Sequence, residues 1–391
     1  MLTDPAVRRA LLGALSLSVL LAACTGGATT ETSVAPTSVV PTSSSTSPPP
    51  PQPKTGTIVA ESVATGLDHP ATFVFAPDGA IFYGERLTGE IRRIDAATGK
   101  NTSVFTVPDV VADISNEQGL VGLALPPSFP AQPWLYAYAT RTVHGVARDQ
   151  ILRIRLEGNR AIGMQLLLDV QVAGERHNGG RMLFGPDRML YVVVGETYRA
   201  ELAQDLSVNG GKVLRMTPTG AIPKDNPIAG SRIFSYGNRN SFGLAFDPQT
   251  GELWETENGP ECNDELNRII AGRNFGWGPS ESCDGRSPQN TNGDGPEPVA
   301  PQLFYPMTIG PTGIAFCDGC GLGTVREGHL FFGSFNTGDI HEVTLSPDRS
   351  RAVRDTTPFN HGNLVLSIEP APDGTLYFSD GLGIYRLALE G

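Results

Sequence analysis

Basic residues are scarce in this 391-residue chain. Its 29 Lys and Arg face 41 Asp and Glu, a formal net charge of −12, and no basic stripe runs through it. That balance argues against a nucleic-acid partner, which needs cations to displace the counterions of a phosphate backbone. Helical periodicity is missing too. Beyond the first two dozen residues no long stretch repeats apolar positions every three or four, so a helix-based core is excluded. The chain has one long apolar run, "ALLGALSLSVLLAA" at 10–23. It is too short to span a bilayer comfortably.

That run, preceded by Arg8 and Arg9, reads as a signal peptide. Its end, "LAAC", resembles a bacterial lipobox, in which Cys24 is lipidated and becomes the mature N-terminus. Residues 1–24 are therefore expected to be a leader, and the protein to be extracytoplasmic and lipid-anchored to the cell membrane. Residues 25–56 are nearly all Thr, Ser, Pro, Ala and Val. Such a segment cannot bury a core and reads as an extended linker. Of the five cysteines, four remain after Cys24: Cys262, Cys283, Cys317 and Cys320. In an exported protein an even number suggests disulfides, and proximity favours Cys262–Cys283 and Cys317–Cys320. A zinc site using all four is the alternative.

Glycine and proline are abundant instead, 46 and 32 residues, and they punctuate short apolar strands. One unit recurs: a strand, a turn rich in Pro, Asp and Gly, then an aromatic-rich strand. It appears as "FVFAPDGAIFYGE" (73–85), "LALPPSFPAQPWLYAYA" (123–139), "MLFGPDRMLYVVVGE" (182–196), "LAFDPQTGELWETEN" (244–258), "IAFCDGCGLGTVREGHLFFGSF" (314–335) and "IEPAPDGTLYFSD" (368–380). Each copy has room for about four strands. A lone four-stranded sheet cannot bury both faces, whereas a ring of them can. The expectation over 57–391 is an all-β, six-bladed β-propeller with four-stranded blades. The early strand "GTIVAESVA" (56–64) would pair with "GIYRLAL" (383–389) to close the ring.

Several ordered motifs go further: "NEQGLVGLAL" (116–125), "HNGGRMLFGPD" (177–187), "GGKVLRMTPTGAIPKDNP" (210–227), "YGNRNSFGLAFDPQTGELWETENGP" (236–260) and "DELNRIIAGRNFGWG" (264–278). Together they resemble the glucose/sorbosone dehydrogenase family, soluble quinoproteins that use pyrroloquinoline quinone (PQQ) and calcium. The resemblance implies an oxidoreductase that oxidises an aldose sugar and passes electrons to an external acceptor. It makes His177 the base that takes the anomeric hydroxyl proton while hydride passes to the quinone. An imidazole suits this work because its ordinary pKa lies near operating pH. The glycines after His177 would let a ligand approach the backbone closely. Glu196, where the family has aspartate, would orient the imidazole. Arg239 and Asn240 would contact the quinone, Arg239 stabilising developing negative charge. Backbone carbonyls of Gly259 and Pro260 would hold calcium beside PQQ. Asp264 and Glu265, helped by a carbonyl at Phe275, match a place where the family holds a structural calcium.

The resemblance also has gaps, and they concern the cations that clamp the carboxylates of PQQ. Asn336 stands where a lysine is expected, Leu364 and Leu366 where arginines are expected, and the anionic Glu117 where a glutamine is expected. A tri-anionic cofactor would meet a poorer match there, unless arginines such as Arg326 or Arg354 substitute from loops. The alternative reading is a non-catalytic propeller that binds glycans or a protein partner after losing its PQQ clamp. A hydrolytic, lactonase-like propeller is a lesser option, since no clear set of side-chain ligands for its metal is evident.

Overall fold

A computed structural model describes residues 56–280, 283 and 293–390. The leader, Cys24 and nearly all of the linker stretch lie outside the described residues. The strands form six four-stranded sheets, antiparallel throughout, arranged as the blades of a six-bladed β-propeller. Five blades are continuous in sequence, at 70–106, 120–172, 182–236, 241–305 and 311–360. The sixth combines strands within 367–390 with the first strand of the chain, Thr57–Thr65. That strand runs antiparallel to Gly383–Glu390, with Thr57 opposite Glu390 and Thr65 opposite Gly383. The two ends of the described chain thus share one sheet and close the ring.

All six copies of the repeated unit become the inner hairpin of a blade. Six apolar clusters fill the gaps between neighbouring blades. Phe82 and Ile91 of the first blade pack with Leu135 and Ile154 of the second. Around the ring, Ile384 of the sixth packs with Phe73 and Tyr83 of the first. Because each blade is covered on both faces, inner strands such as Leu120–Ala124, Leu190–Val194 and Leu330–Ser334 are buried along their whole length. Their sequences accordingly read as continuous apolar runs without polar alternation.

Near the axis the blades approach so closely that a side chain is excluded at some positions. A Cβ on Gly122 would lie 1.9 Å from the Gly180 carbonyl oxygen of the next blade. Cys262 is bonded to Cys283 and Cys317 to Cys320, so the four thiols do not form a zinc site. No helix among the described residues is long and apolar enough to cross a membrane.

Candidate functional site

Each inner hairpin places its turn at one end of the central channel and its two strand termini at the other. The strand-terminus end opens into a cavity of about 390 Å³, within the ~300–1,000 Å³ span usual for small-ligand sites. His177 lines it, buried, from the segment that enters the third blade. Glu196, at the end of the returning strand, lies behind it. The His177 Nδ1 and Glu196 Oε1 are 2.8 Å apart. An ionised carboxylate only accepts, so Nδ1 carries the proton and Nε2 is left as the proton acceptor. Glu196 is held in turn by the Arg199 backbone N–H at 2.8 Å. The pair sits where the hairpin was expected to bring it.

Glycines of this hairpin permit close backbone approach, and Gly179 also lines the cavity. A Cβ on Gly195 would lie 2.2 Å from the His177 carbonyl oxygen, and one on Gly179 would lie 2.7 Å from the Gly195 nitrogen. They allow the two loops of the third blade to press together. The contact carries backbone strain, because His177, Thr197 and Tyr198 all adopt left-handed φ values of 55–60°.

Glu117 reaches in from the second blade. Its Oε2 accepts from the His177 backbone N–H at 2.8 Å and from Asn240 Nδ2 at 3.1 Å. One carboxylate oxygen therefore ties the histidine segment to the Arg239–Asn240 segment. Arg239 donates through Nη1 to the carbonyls of Asn258 and Gly259, and its guanidinium lies 5.3 Å from the Trp277 ring centroid. Burial lowers the Arg239 pKa, opposed by the charges of Glu196, Glu257 and Glu117. The Arg239 Nε and the Asn240 Oδ1 are buried without a hydrogen-bond partner.

Gly259, Pro260 and Asp264 line the same cavity. Asp264 accepts backbone N–H bonds from Gly259, Ile309 and Gly310. Burial nevertheless raises its pKa to about 6 against the pull of those bonds. Glu265 does not join it. The two are successive residues of the strand Asp264–Ile269, so their side chains leave on opposite faces. Glu265 is buried and accepts from Asn267 at 3.1 Å. Phe275 packs in an apolar cluster. The two side chains of the expected acidic pair thus lie on opposite faces of the strand, and among the described residues no three or more His, Cys, Asp or Glu side chains form a metal-holding group.

The cations are distributed differently from the expected clamp. Asn336, Leu364 and Leu366 do line one wall, and Asn336 Nδ2 donates to the Thr308 carbonyl. Neither Arg326 nor Arg354 replaces them. Arg326 pairs with Glu342, and Arg354 stands on the outer strand Ala352–Asn360. Instead His69, Arg86, Arg176 and Arg181 line the cavity, along with Arg239 and the exposed ring of Tyr198. Arg86 Nη1 donates to the carbonyls of Asp113, Asn116 and Gln118, which fixes its charge at the wall. Arg181 is deeply buried and donates to the Phe242 and Leu366 carbonyls, while its Nη1 has no partner. Burial pulls its pKa down to about 10.

The family model for glucose / sorbosone dehydrogenase matches residues 67–382. The chain is 32% identical over 245 residues to quinoprotein glucose dehydrogenase B of Acinetobacter calcoaceticus, covering 55% of this chain and 51% of that one, about half its length. It is 29% identical over 348 residues to an aldose sugar dehydrogenase of Escherichia coli, covering 82% and 89% of the two chains. The PQQ-bound aldose sugar dehydrogenase of Streptomyces coelicolor superimposes with a TM-score of 0.74 at 29% identity, covering 86% of this chain and 99% of that one.

Proposed function

The chain belongs to the glucose / sorbosone dehydrogenase family, and from that premise we propose that it is a PQQ- and calcium-dependent oxidoreductase acting on the anomeric hydroxyl of an aldose. The observation that carries this reading is the buried His177–Glu196 pair, with Nδ1 committed to the carboxylate and Nε2 left to accept a proton. Glu196 fixes the tautomer and stabilises the imidazolium that forms. When bound, PQQ supplies a two-electron acceptor.

The residues present fit such a group. Arg239 and Asn240 bring unpartnered buried atoms to one wall, and Arg181 brings an unpartnered donor to the floor. An anionic ligand would meet Arg86, Arg176, Arg181 and Arg239 in place of the expected late-chain clamp. Calcium would be held by the carbonyls of Gly259 and Pro260. The Gly259 oxygen already accepts from Arg239, and its second lone pair leaves room for sharing. Electrons would leave to an external acceptor. In this reading residues 1–24 would serve as an export leader and Cys24 as a lipid anchor on the outer side of the cell membrane.

Titration of the calcium-loaded protein with PQQ, followed by a dye-linked aldose assay, tests the proposal. Saturable binding with sugar-dependent dye reduction is the expected result. A folded protein that takes up no PQQ would sink it. The Leu364–Leu366 wall would then favour the second reading, a propeller that binds glycans without oxidising them.

A further inference from the structure

Tyr198 has no part in the chemistry above, yet its placement is unusual. It follows Glu196 by two residues, and its φ of 60° continues the left-handed turn begun by Thr197 at 55°. Side chains other than Gly, Asn and Asp seldom adopt that conformation. Its consequence is that the phenol folds back over His177, with ring centroids 4.1 Å apart and planes tilted by 40°. Even so, 58% of Tyr198 remains exposed. Core packing does not account for a large aromatic side chain held this way at the mouth of a polar cavity.

The imidazole is thereby enclosed on most sides. Glu196 holds Nδ1, Glu117 holds the backbone N–H, and Tyr198 covers a ring face. The edge that bears Nε2 is left for substrate, and any molecule presenting a hydroxyl there lies alongside the phenol ring. A pyranose suits that position. Its C–H faces are apolar and flat enough to lie on an aromatic ring, while its hydroxyls project sideways to polar partners. We propose that Tyr198 is a specificity-determining residue: a platform that receives the cyclic form of an aldose and turns its anomeric hydroxyl toward Nε2 of His177. This rests on the reading of the site as a sugar dehydrogenase and adds the residue that sets the pose of the sugar, favouring a six-membered ring over a smaller one.

The test compares glucose with erythrose, an aldose too short to form a pyranose but able to close a furanose with an anomeric hydroxyl, in the wild type and in Tyr198→Phe, Tyr198→Ala and Tyr198→Gly. Tyr198→Gly removes the ring while relieving the backbone. The Ala and Gly variants are expected to lower the glucose-to-erythrose ratio of kcat/KM about ten-fold, through KM for glucose. Tyr198→Phe should stay within about two-fold of wild type, and PQQ affinity by titration should be unchanged in all three. Binding of methyl β-glucoside, measured by calorimetry, should weaken in Ala and Gly and persist in Phe. An unchanged ratio with undiminished glucoside binding in Ala and Gly overturns the proposal. So does an equal fall in kcat for both substrates, which would make Tyr198 a prop for His177. A wild type that binds no PQQ and oxidises neither sugar fails the underlying reading first, and this inference with it.

Discussion

At one end of the channel, the turns of the six inner hairpins surround a cavity of about 870 Å³, lined by Phe75, Phe129, Phe184, Phe246 and Phe316 and by a series of prolines. At the other end, strand termini and blade-to-blade loops surround a cavity less than half that size. The larger cavity is where the repeat is most regular. Several charges at this end are answered locally: Asp247 pairs with Arg349, and beside the other turns Asp187 pairs with Arg215 and Asp78 with Arg93. At the smaller end the repeat breaks, and each blade contributes a different side chain. The left-handed His69, His177 and Tyr198 stand there, with the unpartnered Arg181 Nη1, Arg239 Nε and Asn240 Oδ1. Local satisfaction marks a scaffold, and groups left waiting for a partner mark a site. Volume alone would favour the other end.

Two substitutions break the comparison from opposite sides. His177→Asn keeps a residue tolerant of positive φ and an amide that can donate to Glu196. Removing the base is expected to lower kcat by about 10²–10⁴-fold with little change in Tm. Turnover within a few-fold of wild type would remove His177 from the chemistry. Phe316→Ala, buried at the turn end, is expected to cost about 3–5 kcal/mol of stability in urea denaturation while kcat and KM stay near wild type. A large fall in kcat in the folded Phe316→Ala protein would mean that the apolar end takes part in function.

The same contrast shows what a reader of the sequence can reach. The blades were legible because turn chemistry and buried-strand composition are local, and they recur with each copy. The His177–Glu196 pair was legible because a short hairpin spans it. His69, Arg86, Arg176 and Tyr198 were missed, since their convergence depends on loops brought together by ring closure. A signal for some of them existed in the phase of the repeat. Residues just before the first strand and just after the second strand of any copy reach the site end, so His69 and Arg86 flank the first hairpin as His177 and Glu196 flank the third. Strand alternation likewise separates Asp264 from Glu265, and their adjacency in sequence concealed it.

A pH experiment sharpens the comparison energetically. Behind the site, Asp149 is fully buried and linked through Gln171 to the Gly195 carbonyl. Burial raises its pKa to about 7, against hydrogen bonds from Thr140 and Gln171. An unfolded aspartate titrates near ~3.9. Between those values the native state keeps a proton that the unfolded state has released, so stability falls as pH rises through the window. The loss reaches about 4 kcal/mol when complete. Asp149→Asn should lack that share of the decline, giving a flatter profile of urea midpoint between pH 5 and 8. Glu257, Glu369 and Asp264 are also raised by burial and act in the same direction, so the difference between variant and wild type is the quantity to read. Parallel profiles would show that Asp149 is already ionised at pH 5.

The smallest expected effect concerns Glu117, the one carboxylate at the cavity wall where the resemblance expects glutamine. Its charge opposes an anionic cofactor, yet its Oε2 accepts from both the His177 N–H and Asn240 Nδ2. A glutamine oxygen can accept the same two bonds, so Glu117→Gln removes the charge while the tie between the blades persists. With screening at a partly solvated wall, PQQ affinity is expected to tighten by about three- to ten-fold, and by more at low salt than at high salt. Weaker binding would mean that the charge itself holds the histidine and Arg239–Asn240 segments in place. In that case the departure from glutamine belongs to the architecture of the site, and the redistributed arginines are matched to it.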